Sequence, residues 1–360
     1  MPQKLRFLGE LFVSKLKDQP SYKEDIYPVI LENTDLEGKV NQDASTLDHW
    51  FLRSVDEVIN LSHQDRKLPL TDYAIANGAY IGSVDELNAY CFLRCANHKN
   101  QILSKHDSVP VINDGIITEE KYFSNYHCTA PSAYLDINSI LYQQSKFKNF
   151  GKIHTVNKNG NTYHTIEYGT FPKMRAENSQ ELENALTHGQ VKPTGKKYLG
   201  ALQDNGVFAE NLEYKYHGKL YVRVKVAQGT NLNQRHFNDK TTVVENEYVW
   251  IKVEPLTLKI MNWDEMPKLI NPDGNGRAFY MDVWTEYALV GGIPFHAASY
   301  ENTNNALWEY SPLRTYLNSR FMYEAFNISP EIIKANGRIN NKPPIMQALM
   351  KQQDNLEMGI

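Results

Sequence analysis

Residues 308–326 read WEYSPLRTYLNSRFMYEAF. Leu313, Leu317, Phe321 and Ala325 recur at helical spacing, and Ser311 before Pro312 supplies an N-cap followed by a first-turn proline. The pattern predicts a helix over residues 312–326, with Trp308, Leu313 and Leu317 turned into a core. Arg314 lies among these apolar residues. An arginine in such a place packs its stem and gives its guanidinium to a carboxylate or to loop carbonyls, and Arg53 and Arg94 share that setting.

Working outward, residues 219–226 (KLYVRVKV) alternate apolar and charged side chains, which puts Leu220, Val222, Val224 and Val226 on one face of a strand. Residues 247–258 (EYVWIKVEPLTL) alternate similarly, bury Trp250, and carry Pro255 as an end or edge signal. Lysines, Gly151 and the run Asn157-Lys158-Asn159-Gly160-Asn161 mark residues 143–165 as a linker holding a loop or hairpin tip. Residues 189–197 (GQVKPTGKK) imitate a phosphate loop. The spacing is one residue too long and Lys197 stands where a hydroxyl is needed, so they read as a surface loop.

A chain of 360 residues with 41% hydrophobic content can bury a sizeable core. The 22 tyrosines, without dominance of Ala or Leu, tilt the class toward strands and loops with a minority of helix. A net charge of −4 gives no global attraction to nucleic acid or to an anionic membrane. Three cysteines argue against a disulfide framework and fit a reducing compartment. Leu5, Leu8, Leu11, Phe12 and Leu16, interrupted by Glu10 and Lys15, suit an amphipathic helix better than a signal peptide. The expected location is cytoplasmic, or outside by a signal-independent route.

Five motifs in order, Glu167-Tyr168-Gly169-Thr170-Phe171-Pro172, Lys196-Lys197-Tyr198, Tyr214-Lys215-Tyr216 to Arg223, Trp250 to Pro255 and Trp308 to Asn318, resemble the first half of the bacterial domain of unknown function 6273 family. An earlier block resembles its second half. The residues that carry it are Asp48-His49-Trp50-Phe51-Leu52-Arg53-Ser54, Thr71 to Gly78, Tyr90-Cys91-Phe92-Leu93-Arg94, Asp114-Gly115 and Ala130 to Asp136. The chain departs from the family at Phe92-Leu93-Arg94-Cys95 and at Thr129-Ala130-Pro131-Ser132, where the family shows a Trp-Leu-Arg-Ser type strand and a Val-Arg-Pro-Ala strand.

The resemblance implies an α+β fold of the C-type-lectin-like and formylglycine-generating-enzyme-like group: irregular, loop-rich, with small antiparallel sheets and flanking helices. The reversed order of the halves implies a circular permutation, with a tandem-array origin or a swapped dimer as alternatives. The chain then divides into an N-terminal segment (1–47), a block like the family's second half (48–142), the linker (143–165), a block like its first half (166–327) and a tail (328–360) with a helix over 344–356. Leu317 and Phe321 are expected to pack near Phe92 and Leu93.

The favoured function is a noncatalytic recognition module that binds a glycan or a protein. Its expected ligand-binding residues are Tyr300, Asn302 and Asn304 of an oxygen-rich loop, with Trp308 and Arg314 beside it. The expectation includes no catalytic residue, no metal ligand, no nucleic acid and no membrane; the oligomeric state is left open. No cofactor is expected, although calcium would suit clustered carboxylate and amide oxygens. Glu254-Pro255 and Asn262-Trp263-Asp264 only faintly follow lectin calcium signatures, and a plain strand followed by a turn is the simpler reading. The alternative is an enzyme with a site built across the blocks from Cys91, Cys95 or His127. For zinc, Cys91 and Cys95 on one strand face would lie roughly 13 Å apart, so buried free thiols are favoured.

Overall fold

The computed structural model describes residues 25–27, 29–34, 40–79, 81–83, 87–94, 108–121, 127–158, 161–203, 206–228, 235–265, 279–295, 308 and 311–328. In chain order, β1 (Ile26–Tyr27), β2 (Val29–Thr34), β3 (Val40–Asp48) and β4 (Trp50–Phe51) lead to α1 (Val55–Ile59) and α2 (Asp72–Ala76). Next come β5 (Ile81–Ser83), β6 (Asn88–Phe92), β7 (Ser108–Asn113), β8 (Ile116–Lys121), β9 (Cys128–Thr129), β10 (Ser132–Asp136) and α3 (Ile137–Lys146). The hairpin β11 (Ile153–Lys158) and β12 (Asn161–Arg175) precedes α4 (Ser179–Thr187), β13 (Lys192–Leu202), β14 (Phe208–Tyr216) and β15 (Lys219–Lys225). The last elements are β16 (Tyr248–Glu265), β17 (Phe279–Thr285), β18 (Val290–Gly291), α5 (Pro312–Leu317) and α6 (Arg320–Phe326).

The architecture is mixed α+β and rich in strand, with open antiparallel sheets. A 10-stranded sheet runs β1-β10-β17-β16-β15-β14-β13, with β12 also on β16, β11 on β12, and β4 on β10. A 6-stranded sheet runs β18-β9-β6-β7-β8 with β5 on β6, and β2 pairs with β3. The two blocks share both larger sheets. β10 of the earlier block pairs with β17 of the later one from Ser132↔Trp284 to Asp136↔Tyr280, and β9 pairs with β18 at Thr129↔Val290. The strands of the two blocks therefore close on each other within one chain.

The alternating 219–226 stretch forms β15 as expected, with Val222, Val224 and Val226 buried. On its other face Tyr221 joins Trp250, Leu182 and Ala185 in a small second core beneath α4. Pro255 does not end β16. It lies between the part of β16 that pairs with β15, up to Lys252, and the part that pairs with β17, from Leu258, so only β12 adjoins it there. The missing N–H thus falls on a locally open edge, where a proline is tolerated. β16 also continues through Asn262 and Asp264, where a turn was expected.

Three further expectations are corrected. The helix over 312–326 is two helices, because Asn318 turns its amide onto β4: Oδ1 accepts from the N–H groups of His49 (2.6 Å) and Trp50 (3.1 Å), and Nδ2 donates to the Trp50 carbonyl at 2.8 Å. Phe321, expected near Phe92 and Leu93, has its ring contacts with Trp50 at 5.3 Å from the earlier block and with Phe171, Phe326 and Tyr316 at 5.6, 5.9 and 6.0 Å from the later one. Residues 192–197 belong to the exposed edge strand β13 rather than to a loop. The residues read as a linker holding a loop or hairpin tip, 143–165, begin as the end of α3 and continue as the β11–β12 hairpin, whose register closes at Lys158↔Asn161. The helices expected near the N-terminus and over 344–356 lie outside the described residues.

Candidate functional site

Of the residues expected to bind a ligand, Tyr300, Asn302 and Asn304 lie outside the described residues. Trp308 is 0% exposed and its Nε1–H donates to Asp48 Oδ2 at 2.9 Å. Arg314 is 7% exposed and its Nε–H donates to Asp48 Oδ1 at 2.6 Å. Both side chains are interior and meet on one buried carboxylate, so neither is placed to touch a ligand at the surface. Arg53 and Arg94 are held likewise: Arg53 grips Asp282 at 2.9 and 2.5 Å, and Arg94 grips Glu57 at 2.8 and 2.9 Å. The guanidinium groups of all three arginines thus hold carboxylates, as their apolar sequence neighbours imply.

Of the residues of the enzymatic alternative, Cys91 and His127 are described, and both are buried. Cys91 and Cys128 are free and buried, and burial pushes both thiols up, away from the reactive thiolate. His127 stacks on Phe92 at 4.7 Å and meets Tyr90 edge-on at 5.6 Å, and burial lowers its imidazole to about 4. Cys95 and His98 lie outside the described residues. Glu254 and Asn262 occupy one continuous strand, about 26 Å apart at ~3.3 Å per residue, too far to share a calcium ion. Among the described residues no group of three or more His, Cys, Asp or Glu is placed to hold a metal.

A different site emerges at the seam of the blocks. A cleft of ≈ 100 Å³ opens between the turn at Gln64–Pro69 of the earlier block and Tyr163, Lys259, Glu286 and Tyr287. Trp284 and Thr285, at the end of β17, form its floor. Alternation along β12 and β16 places Tyr163 and Lys259 side by side on one sheet face, with the Lys259 ammonium 4.9 Å from the Tyr163 ring centroid. Lys259 Nζ then crosses the seam to Asp65 Oδ1 at 3.0 Å, and Tyr163 donates its hydroxyl hydrogen to Glu286 Oε1 at 3.1 Å. Lys173 lies 5.1 Å from the Tyr287 ring centroid.

The electrostatics keep the two phenols of the cleft neutral beside the Lys259–Asp65 ion pair. Partial burial and then the Glu286 carboxylate push the Tyr163 hydroxyl up to about 12, and burial with Glu286 and Glu254 raises Tyr287. Burial would raise the Asp65 carboxyl, but hydrogen bonds from Ser62 and Lys259 and the Lys259 charge hold it below the usual carboxylate range. On the floor, Thr285 is 1% exposed and its Oγ1 has no hydrogen-bond partner among the described residues. A buried hydroxyl without a partner costs free energy. The arrangement can stack on, hydrogen-bond and orient a small polar molecule.

A second cavity of ≈ 270 Å³ has Asn77, Gln203, Lys225, Gln228 and Asn246 on its walls, without an aromatic side chain to stack on. No local motif announces the seam cleft in the sequence, because its walls come from the turn at 64–69 and from strands far downstream. No helix among the described residues is long and apolar enough to cross a membrane. No family model, curated protein or solved structure matches this chain.

Proposed function

We propose that this chain is a noncatalytic recognition module of lectin-like type, permuted relative to the family it resembles, that binds a saccharide in the seam cleft. One observation carries the reading: two half-buried tyrosines, Tyr163 and Tyr287, stand beside the buried Trp284 and Thr285 in a cleft where Lys259 is paired with Asp65 and Tyr163 is bonded to Glu286. Aromatic rings offer stacking area to the apolar face of a sugar ring, while phenol, amide and hydroxyl groups match its hydroxyls. The internal pairing of Lys259 with Asp65 favours a neutral ligand over a charged peptide. Support for the permutation comes from β10 of one block lying beside β17 of the other, since a permuted single domain needs its halves in one sheet.

The test is a glycan array with the purified chain, with calcium and again after chelation. Binding lost in Tyr287→Ala and Thr285→Val variants that remain folded supports the proposal, and loss on chelation would make calcium part of the site. Absence of binding under both conditions refutes it and turns attention to a protein ligand.

A further inference from the structure

Cys91 and Cys128 stand directly opposite each other where β6 and β9 run parallel. Adjacent strands lie about 4.8 Å apart, inside the ~4.4–6.8 Å Cα separation that a disulfide spans, and opposite residues of a pair project to the same face. His127, one residue before Cys128, packs on Tyr90 and Phe92, the residues flanking Cys91. Alternation therefore places the two thiols together on the other face. Both cysteines are free, with 1% and 0% exposure. The contact they would reinforce is slight: β9 has two residues, and its pairing with β6 is a single register pair.

We propose that Cys91 and Cys128 form a reversible disulfide that staples β6 to β9 when the chain meets a small-molecule disulfide such as oxidised glutathione. One cysteine loses its proton and attacks the oxidant, and a glutathione thiolate leaves. The second cysteine, deprotonated in turn, attacks the mixed disulfide and expels the glutathione. The two protein thiols give up two protons and two electrons, and the oxidant becomes two thiols. Because burial keeps both thiols protonated and covered, exchange goes through local opening of the short β9 strand and is slow. The staple encloses the β7–β8 hairpin. It is independent of whatever ligand the cleft takes.

The experiment incubates the folded full chain with oxidised glutathione at mildly alkaline pH, blocks remaining thiols, and maps peptides without reduction. The expected result is a peptide pair joined through Cys91 and Cys128 as the major cysteine product, a higher thermal midpoint, and reversal of both by dithiothreitol. The linkage should persist in Cys95→Ser and vanish in Cys128→Ser; Cys128→Ala serves if the serine variant does not fold. Linkage through Cys95 in the wild-type chain, separate glutathione adducts on Cys91 and Cys128, or a Cys91–Cys128 link that forms only in denaturant would each overturn the proposal.

Discussion

Asp48 and Arg314, 266 residues apart in sequence, meet at 2.6 Å in the interior. The same carboxylate accepts from Trp308 Nε1 at 2.9 Å and from Thr46 Oγ1 at 2.8 Å. One acidic group from the earlier block thus organises the segment entering α5 in the later one. Replacing Asp48 by Ala leaves a buried guanidinium and an indole N–H without their acceptor, and should cost about 3–5 kcal/mol in urea unfolding. In the Asp48→Ala/Arg314→Ala double variant the loss should be smaller than the sum of the single losses, because neither charge is then stranded. Additive losses would show that the pair is not coupled.

Asn318 replaces a missing strand. Its amide completes hydrogen bonds to the backbone of His49 and Trp50, which otherwise have helix rather than strand on that side. Asn318→Ala should destabilise the chain by about 2–4 kcal/mol, from several buried backbone groups losing partners. Hydrogen exchange gives the sharper check: the amides of His49 and Trp50 should lose protection more than those of β16.

Two buried groups set acid sensitivity in the same direction. Burial lowers His127 from 6.5 to about 4, so the unfolded chain takes up a proton first as pH falls, and stability is lost between those values. Burial would raise Glu57, but the charges of Arg94 and Arg53 and the hydrogen bonds from Arg94 and the Ser54 backbone hold it at about 2, against an ordinary 4.5. Its stabilisation is present above 4.5 and is lost as pH falls toward 2. Asp25 and Glu324, raised chiefly by burial, respond oppositely, so difference curves are the measurement. Relative to His127→Phe over the histidine window, and relative to Glu57→Gln over the carboxylate window, the wild type should lose about 3 kcal/mol in each case. A flat difference in either window removes that group from the account.

Gly169 interrupts the β12–β16 register at φ +80, and a Cβ there would run into the Phe326 ring and come within 2.9 Å of the Ala325 carbonyl. Gly195, at φ +91, has nothing within 4 Å. Both alanine variants carry the left-handed backbone cost of about 1–2 kcal/mol. Gly169→Ala should add about 1–3 kcal/mol of overpacking against α6, and Gly195→Ala should not. Thermal midpoints of the two variants measure that gap directly.

Taken alone, the sequence determined the local elements whose signal is carried by neighbours: the β15 alternation, the Ser311-Pro312 helix start, the β11–β12 hairpin that closes at Lys158↔Asn161, and arginines that seek carboxylates. It also determined that the chain is rich in strand. It could not place the break at Asn318, since helical spacing runs unbroken through that residue and only the buried backbone of Trp50, far away in sequence, draws the amide away. Nor could it pair Cys91 with Cys128, align Pro255 with a gap between β15 and β17, or gather Asp65, Tyr163, Lys259 and Thr285 around one cleft. Periodicity records which face of an element is apolar. Which two faces meet is decided by burial summed over the whole fold, and that only the tertiary structure settled.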